Sequence, residues 1–149
     1  MKNTIALLFL TSFSIAAHAD FGKQVKVVNE WTVYKKIDVM TDQTECLAIY
    51  DGKKDIQLTA DTLAFGQLGY AQAYKYRLDD EPLSSLKLND DVPKRMGVVL
   101  FEGPMFEQIK SSKRFRLQVT ATSLQTFDMN TSSISSVLTE FKTQGCKGS

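Results

Sequence analysis

The stretch "ECLAIYDGKKDIQLTA", residues 45–60, indicates how this chain folds. Two apolar runs flank Asp51-Gly52, a pair suited to the positive backbone φ angles of a tight two-residue turn. Because such a turn joins antiparallel strands, the stretch predicts a β-hairpin. Cys46 lies near the start of its first strand, so a bond to Cys46 would fasten another part of the chain to this sheet.

Apolar patterns on both sides of the hairpin predict further strands. They are "QVKVV" (24–28), "WTVYKKI" (31–37), "YAQAYKYRL" (70–78), "RMGVVLFEG" (95–103), "RFRLQVTA" (114–121) and "TFDM" (126–129). The run 95–103 is continuously apolar, which is typical of a central strand. In 114–121, alternation predicts that Phe115, Leu117 and Val119 point inward. Turn residues at 79–82, 88–94 and 102–104 separate these pieces.

The period changes at the end of the chain. In "NTSSISSVLTEFKTQGC" (130–146), apolar residues recur at the spacing of an amphipathic helix: Ile134, Val137, Leu138 and Phe141. Asn130 or Thr131 is expected to cap its start, and Gly145 to take the left-handed conformation at its end. The predicted fold is mainly β: a single antiparallel, sandwich-like domain with a C-terminal amphipathic helix.

Cys46 and Cys146 are the two cysteines of the chain. With export, which the N-terminus predicts, an even number of cysteines indicates a disulfide. The alternative, a redox-active thiol, lacks a C-x-x-C motif and a histidine to lower a thiol pKa. One structural disulfide is therefore predicted, joining the end of the helix to an early strand.

The N-terminus predicts a signal peptide over residues 1–19. Lys2 precedes an apolar run that is too short for a membrane span, which needs about twenty residues. Ala17-His18-Ala19 fits the small-x-small pattern of signal-peptide cleavage. The mature chain, residues 20–149, would form one β-rich exported domain, without a transmembrane anchor, in the periplasm or outside the cell.

Cleavage there would remove His18, the single histidine. Histidine-dependent nucleophilic catalysis and imidazole-based metal sites would then be excluded within one chain. Removal of Lys2 leaves 17 basic and 17 acidic residues out of 18 and 17, so no net charge favours nucleic acid. We expect no enzyme activity, metal or cofactor, although a carboxylate-based enzyme remains an alternative.

Polar and aromatic clusters supply the candidate interaction residues. They are the tyrosines Tyr70, Tyr74 and Tyr76, the turn carboxylates Asp79, Asp80, Glu81, Asp90 and Asp91, and the basic residues Lys110, Lys113, Arg114 and Arg116. Each has a plainer interpretation: a core-facing aromatic stripe, solvated turn carboxylates and a solvated basic face. The functional alternatives are a recognition platform, an acidic loop for a basic target and a contact for phosphates or acidic glycans.

The segments that carry a family resemblance are "EWTVYKKIDVMTDQTECLAIY" (30–50) and "TFDMNTSSISSVLTEF" (126–141), about a quarter of the chain. They resemble the invasion-associated locus B family of bacterial periplasmic proteins. The chain departs from the family at Ser132-Ser133-Ile134, where the family usually has a glycine and an aromatic residue, and in having fewer cysteines. The resemblance implies a small exported β protein and no catalytic residues.

Together these features predict a non-enzymatic binding protein of the bacterial envelope, whose partner is a protein or glycan. The alternative is a secreted inhibitor or immunity-type protein that blocks an enzyme such as a cell-wall hydrolase. Inhibitors usually present a rigid loop, and residues 77–94 are the candidate. The ligand and the oligomeric state do not follow from the sequence.

Overall fold

The structure, a computed structural model, describes residues 21–149. The predicted signal peptide, residues 1–19, lies outside the described residues. No helix among residues 21–149 is long and apolar enough to cross a membrane.

Six antiparallel strands form the first sheet. In spatial order they are β1 (Lys23–Val28), β2 (Trp31–Asp38), β3 (Gln43–Tyr50), β4 (Lys53–Leu58), β5 (Thr62–Phe65) and β8 (Val99–Glu102). The predicted hairpin is confirmed, since Tyr50 pairs with Lys53 around Asp51 and Gly52. Both turn residues have positive φ, 46° and 67°, as a tight hairpin turn requires.

Four antiparallel strands form the second sheet, and three helices complete the fold. The strands, in spatial order, are β10 (Leu124–Asn130), β9 (Arg114–Thr120), β6 (Ala73–Leu78) and β7 (Lys87–Leu88). The helices are α1 (Asp91–Met96), α2 (Gly103–Ser111) and α3 (Ile134–Thr143).

Both sheets and α3 contribute to one apolar core. Its largest fully buried side chains include Trp31 of β2, Phe65 of β5, Phe101 of β8, Phe115 of β9 and Phe141 of α3. The predicted fold class is therefore confirmed. The predicted alternation in β9 is also confirmed, because Phe115, Leu117 and Val119 are all buried.

The apolar run 95–103 does not form a central strand, and that prediction is wrong. It divides at Gly97, whose φ is 68° and where a Cβ atom would lie 2.3 Å from the Gly69 carbonyl oxygen. Residues before Gly97 end α1, and β8 after it lies at the edge of the first sheet. An apolar run looks the same in either position, because it records burial and not the number of strand neighbours.

Two segments interpreted as turns begin helices instead. Of residues 88–94, the last four are the first four residues of α1, and the Gly103-Pro104 pair begins α2. Proline fits there because the first helical residues have no intrahelical partner for their N–H groups. Phe106 and Ile109, three residues apart in α2, are both buried.

Helix α3 has the predicted apolar face, but not the predicted cap. Ser133 occupies the N-cap position and makes no side-chain cap bond. Thr131 instead donates its hydroxyl to the Ser112 carbonyl, at 2.8 Å. At the other end Gly145 has φ 71°, as predicted, and Cys146 N–H donates to the Phe141 carbonyl. These are marks of a Schellman helix end.

The predicted disulfide joins Cys46 of β3 to Cys146, which follows Gly145 at the end of α3. One residue further on, Lys147 N–H donates to the Thr44 carbonyl of β3 at 2.8 Å. The C-terminal helix end is therefore fastened to the first sheet by both a covalent bond and a backbone hydrogen bond.

Candidate binding surface

The connection from β6 to α1, residues 79–90, is a long loop that includes the two-residue strand β7, and its polar side chains bind it to the sheet. Ser84 N–H donates to the Tyr76 carbonyl at 2.9 Å, and the Ser84 hydroxyl accepts from Tyr76 N–H at 3.0 Å. The Asn89 side chain donates to the carbonyls of Ala71 and Val98, at 3.0 and 2.8 Å. The loop, here called the leucine loop, is thereby held in the middle and at its far end.

Asp79 and Arg77 hold the near end of the leucine loop. Asp79 has a positive φ of 44°, and its carboxylate accepts the backbone N–H groups of Lys113 and Arg114 at 2.9 and 2.8 Å. Arg77 Nε donates to the Glu81 carbonyl at 2.6 Å. The turn at 79–81 is therefore fastened to both β6 and the start of β9.

Three leucines on this loop point into solvent. Leu83, Leu86 and Leu88 are 59%, 54% and 80% exposed. Single exposed apolar residues are common, but several on one ordered segment are typical of an interaction site. The hydrogen bonds described above fix the backbone that presents them, so little loop entropy would be lost on binding.

A groove of about 440 Å³ opens beside the leucine loop, between the edge strands β7 and β8. Its apolar walls come from both sheets, α1 and α2: Tyr74, Leu88, Pro93, Leu100, Phe101 and Met105. Asn89, Asp90 and Glu102 supply the polar groups. The groove has the usual composition of a binding site, a mainly apolar lining with a few polar groups.

The three predicted tyrosines do not form one platform. Tyr74 and Tyr76 lie half-buried on β6, with ring centroids 5.5 and 6.3 Å from that of Phe101. Burial raises the pKa of Tyr74, with smaller effects from Tyr76 and Asp90. Tyr70 precedes the strand and is 46% exposed, with Lys94 Nζ 5.9 Å from its ring centroid. The interpretation as a core-facing stripe therefore fits Tyr74 and Tyr76 but not Tyr70.

Four of the predicted carboxylates lie on the leucine loop and the fifth, Asp91, is the first residue of α1; they have different hydrogen-bond partners. Asp79 accepts backbone N–H groups, while Asp91 accepts from Lys94 at 2.6 Å, a hydrogen bond that lowers the pKa of Asp91. Asp80 and Glu81 contribute their carbonyls to Arg77, and Asp90 lines the groove. No three metal-ligating side chains among residues 21–149 lie close enough to hold a metal ion.

The predicted basic residues also have different environments. Lys110 pairs with Glu107 at 2.6 Å, and Arg114 binds both carboxylate oxygens of Asp128, at 2.8 and 2.5 Å. The Arg116 guanidinium donates to the Asp79 carbonyl, and Lys113 is exposed. Lys110 and Arg114 are thus neutralised by carboxylates. The four basic residues therefore do not form one unpaired basic patch.

A second hollow, of about 600 Å³, lies beside the disulfide. It forms where β4 leaves β3, and Cys46, Leu47, Ala60 and Gly148 contribute to its walls. Lys36 and Glu45, on the same wall, pair with each other at 3.2 Å. None of the predicted interaction residues lines this hollow, so we place the candidate site at the leucine loop and groove.

Sequence reasoning missed the apolar part of this site. The three leucines lie within a polar, turn-rich segment, which sequence reasoning interpreted from its carboxylates as an acidic loop. Leucine at 83, 86 and 88 without a helical or strand-like core pattern was the available signal. No sequence signal pointed to Leu100 and Met105, because their position beside the groove depends on how β8 and α2 pack.

No family model and no curated protein matches this sequence. A solved structure that is similar is the crystal structure of invasion associated protein B from Bartonella henselae. The TM-score is 0.47 and the sequence identity 10%, over 80% of this chain and 97% of the other. The name of that protein is the same as that of the family that residues 30–50 and 126–141 resemble.

Proposed function

We propose that this chain is a non-enzymatic binding protein of the bacterial envelope, and that a protein partner docks on the leucine loop and the adjoining groove. The exposure of Leu83, Leu86 and Leu88 on a hydrogen-bonded loop is the observation that carries the proposal. When a partner covers apolar side chains that were exposed to water, the free energy of the system falls, and this favours binding.

The groove supports the same proposal. Leu88 lines it together with Leu100 and Met105, so the apolar surface continues from the loop to the edge of the first sheet. Asp90 and Glu102 lie in the groove without an ion pair among the described residues. These two carboxylates favour a partner segment that carries lysine or arginine beside its apolar residues.

The proposed location is the periplasm or the cell exterior. Its support is the signal-peptide pattern of residues 1–19, which lies outside the described residues, and the Cys46–Cys146 disulfide. Disulfides persist in oxidising compartments, and the bacterial periplasm is one.

Affinity capture with paired variants tests the proposed function. The full chain, tagged and expressed in its own host, is cross-linked in the cell envelope, and co-purifying proteins are identified by mass spectrometry. We expect one partner in near-stoichiometric yield with the wild type. The double variant Leu86→Asp/Leu88→Asp should lose that partner, because it places charges where the apolar contact forms.

Leu124→Asp is the matched control. Leu124 is also an exposed leucine, 65%, but lies on β10 at the opposite edge of the second sheet. The control should capture the partner as the wild type does. Equal capture by the loop variant and the control would contradict the proposal, as would repeated captures without a partner.

The second candidate is a secreted inhibitor or immunity-type protein. The observation in its favour is that the leucine loop is held at the near end by Asp79, in the middle by Ser84 and at the far end by Asn89. Preorganised loops of this kind bind enzymes tightly, since little freedom remains to be lost.

Inhibition assays separate this candidate from a general binding protein. An inhibitor should block at least one enzyme in a panel of cell-wall hydrolases, and Asp80→Ala/Asp90→Ala should weaken the block if the target is basic. Asp79 is left unchanged, since its carboxylate holds the loop. No inhibition anywhere in the panel, together with a captured partner that is not an enzyme, would rule the inhibitor out.

A further inference from the structure

The outer face of the second sheet carries a compact group of hydrogen-bond donors. Register places Arg77 of β6 directly opposite Arg116 of β9, and Lys75 opposite Gln118. Residues two apart on a strand share a face, so the four side chains lie together. We call Lys75, Arg77, Arg116 and Gln118 the cation block.

The charges of two arginines directly opposite each other on neighbouring strands are unfavourable for the sheet, although both side chains also donate to carbonyls of the 79–81 turn. Directly opposed side chains have Cβ atoms about 4.5–5.5 Å apart, and like charges at that distance destabilise a sheet. The nearest carboxylate across from Arg116 on β10 is Asp128, and Arg114 already binds both of its oxygens. The carboxylate of Asp79 is likewise occupied, by two backbone N–H groups.

Most donors of the cation block remain available. Arg77 donates to the carbonyls of Glu81 and Asp80, and Arg116 to that of Asp79, out of five N–H groups each. Arg116 Nε has no hydrogen-bond partner among the described residues but is buried, so the donors of Arg116 that a ligand can reach belong to the outer end of its guanidinium. Lys75 makes no ion pair or side-chain hydrogen bond within residues 21–149.

We propose that the cation block binds the phosphate groups of an acidic glycan. Guanidinium groups bind phosphate oxygens in pairs, and two of them side by side with a lysine suit closely spaced phosphates. The cation block adjoins the near end of the leucine loop, where Arg77 and Arg116 donate to backbone carbonyls. None of its residues lines the groove, so the proposal stands whether or not a protein docks there.

Neutral groups beside the cation block favour a glycan over an anionic lipid surface. Thr126 lies opposite Gln118 on β10, and Thr120 follows on the same face of β9; both are exposed. Hydroxyl and amide side chains of this kind suit sugar hydroxyls. Asp80 and Glu81 are exposed at the end of the same face. An anionic membrane surface would bring its negative charges against these two carboxylates. A compact glycan can bind the cation block without contacting them.

Binding of phosphorylated dextran tests the proposal, with unmodified dextran as the ligand control. Titration calorimetry of the folded wild-type protein should detect binding of the phosphorylated polymer only. Lys75→Glu should weaken it by more than about tenfold, because it removes one charge-assisted contact and adds repulsion of the phosphate. Lys75→Gln should weaken it less, and thermal unfolding checks that both variants are folded.

Lys142→Glu is the matched control, because Lys142 is an exposed lysine on α3 that pairs with no carboxylate among residues 21–149. Its affinity should equal that of the wild type. Equal weakening by the two charge reversals would reveal general attraction to the polymer and overturn the proposal. So would binding of unmodified dextran, no binding at all, or tighter binding to phosphatidylglycerol vesicles, which would assign the block to lipid.

Discussion

At the scale of single residues, position decides what a carboxylate does. Asp79 lies in a turn and accepts two backbone N–H groups, so it shapes the chain. Glu140 lies on α3, is 7% exposed, and accepts from Lys26 and Gln144, both at 2.7 Å. Both carboxylates accept hydrogen bonds that hold the fold together, Asp79 near the surface and Glu140 in a buried position.

The contribution of ionised Glu140 to stability should be visible in the pH dependence of the free energy of unfolding. The hydrogen bond from Lys26, and next that from Gln144, hold its pKa below the ordinary value of 4.5. Ionised Glu140 therefore stabilises the folded state above that value, and the contribution is lost as the pH falls through the folded-state pKa. Glu140→Gln should lower the free energy of unfolding at pH 7, and the difference should close in acid.

Urea unfolding of both proteins at pH 7 and at acidic pH measures this difference. Glu107→Gln serves as the control, since Glu107 pairs with Lys110 on the exposed side of α2. Exposed pairs contribute little, so this variant should track the wild type. A difference for Glu140→Gln that persists unchanged into acid would contradict the assignment.

At the scale of elements, the end of α3 shows local and distant interactions acting together. Gly145 ends the helix locally, and Cys146 then bonds to Cys46 on a strand far away in the sequence. Helix α2 shows the opposite case. The Gly-Pro pair at its start is equally typical of a turn. Burial of Phe106 and Ile109 in the core favours the helix over the turn.

Removing the disulfide should destabilise the protein strongly. The bridged residues are 100 apart in sequence, and the chain-entropy model gives roughly 4–5 kcal/mol for a loop of that length. Cys46→Ser/Cys146→Ser should lose stability of that order in urea unfolding, and reduced wild type should match it. Peptide mapping without reductant that found both thiols free would contradict the bond itself.

At the scale of the whole molecule, aromatic side chains join the two sheets. Phe101 of the first sheet lies 5.1 Å from Phe115 and 5.5 Å from Tyr74 of the second, measured between ring centroids. Edge-to-face aromatic pairs of this kind stabilise beyond their buried area. β8 lies at the sheet edge, yet its inward side chain is central to the core.

Replacing Phe101 should therefore cost far more than replacing its neighbour. Phe101→Ala removes a fully buried ring and should lower the free energy of unfolding by about 3–5 kcal/mol. Leu100→Ala, on the same strand but 40% exposed, should cost under about 1 kcal/mol. Urea unfolding of both variants measures this, and equal losses would show that Phe101 does not join the sheets.

Most of the architecture follows from local patterns in the sequence. The Asp51-Gly52 hairpin, the inward face of β9, the apolar face of α3 and the Cys46–Cys146 pair were all predicted correctly. Each depends on side-chain period, on backbone preference at a turn, or on there being two cysteines to join. These properties belong to a short segment or to a residue type, so they can be predicted from the sequence without knowledge of the tertiary structure.

The surfaces proposed for binding depend on the tertiary structure. The exposure of the leucine loop, the groove between β7 and β8, and the opposition of Arg77 to Arg116 all depend on how strands distant in sequence pair and pack. Register between such strands is set by the shared core and not by either segment alone. The sequence by itself therefore determined the elements and the covalent link, while packing across the two sheets determined which side chains meet at the surface.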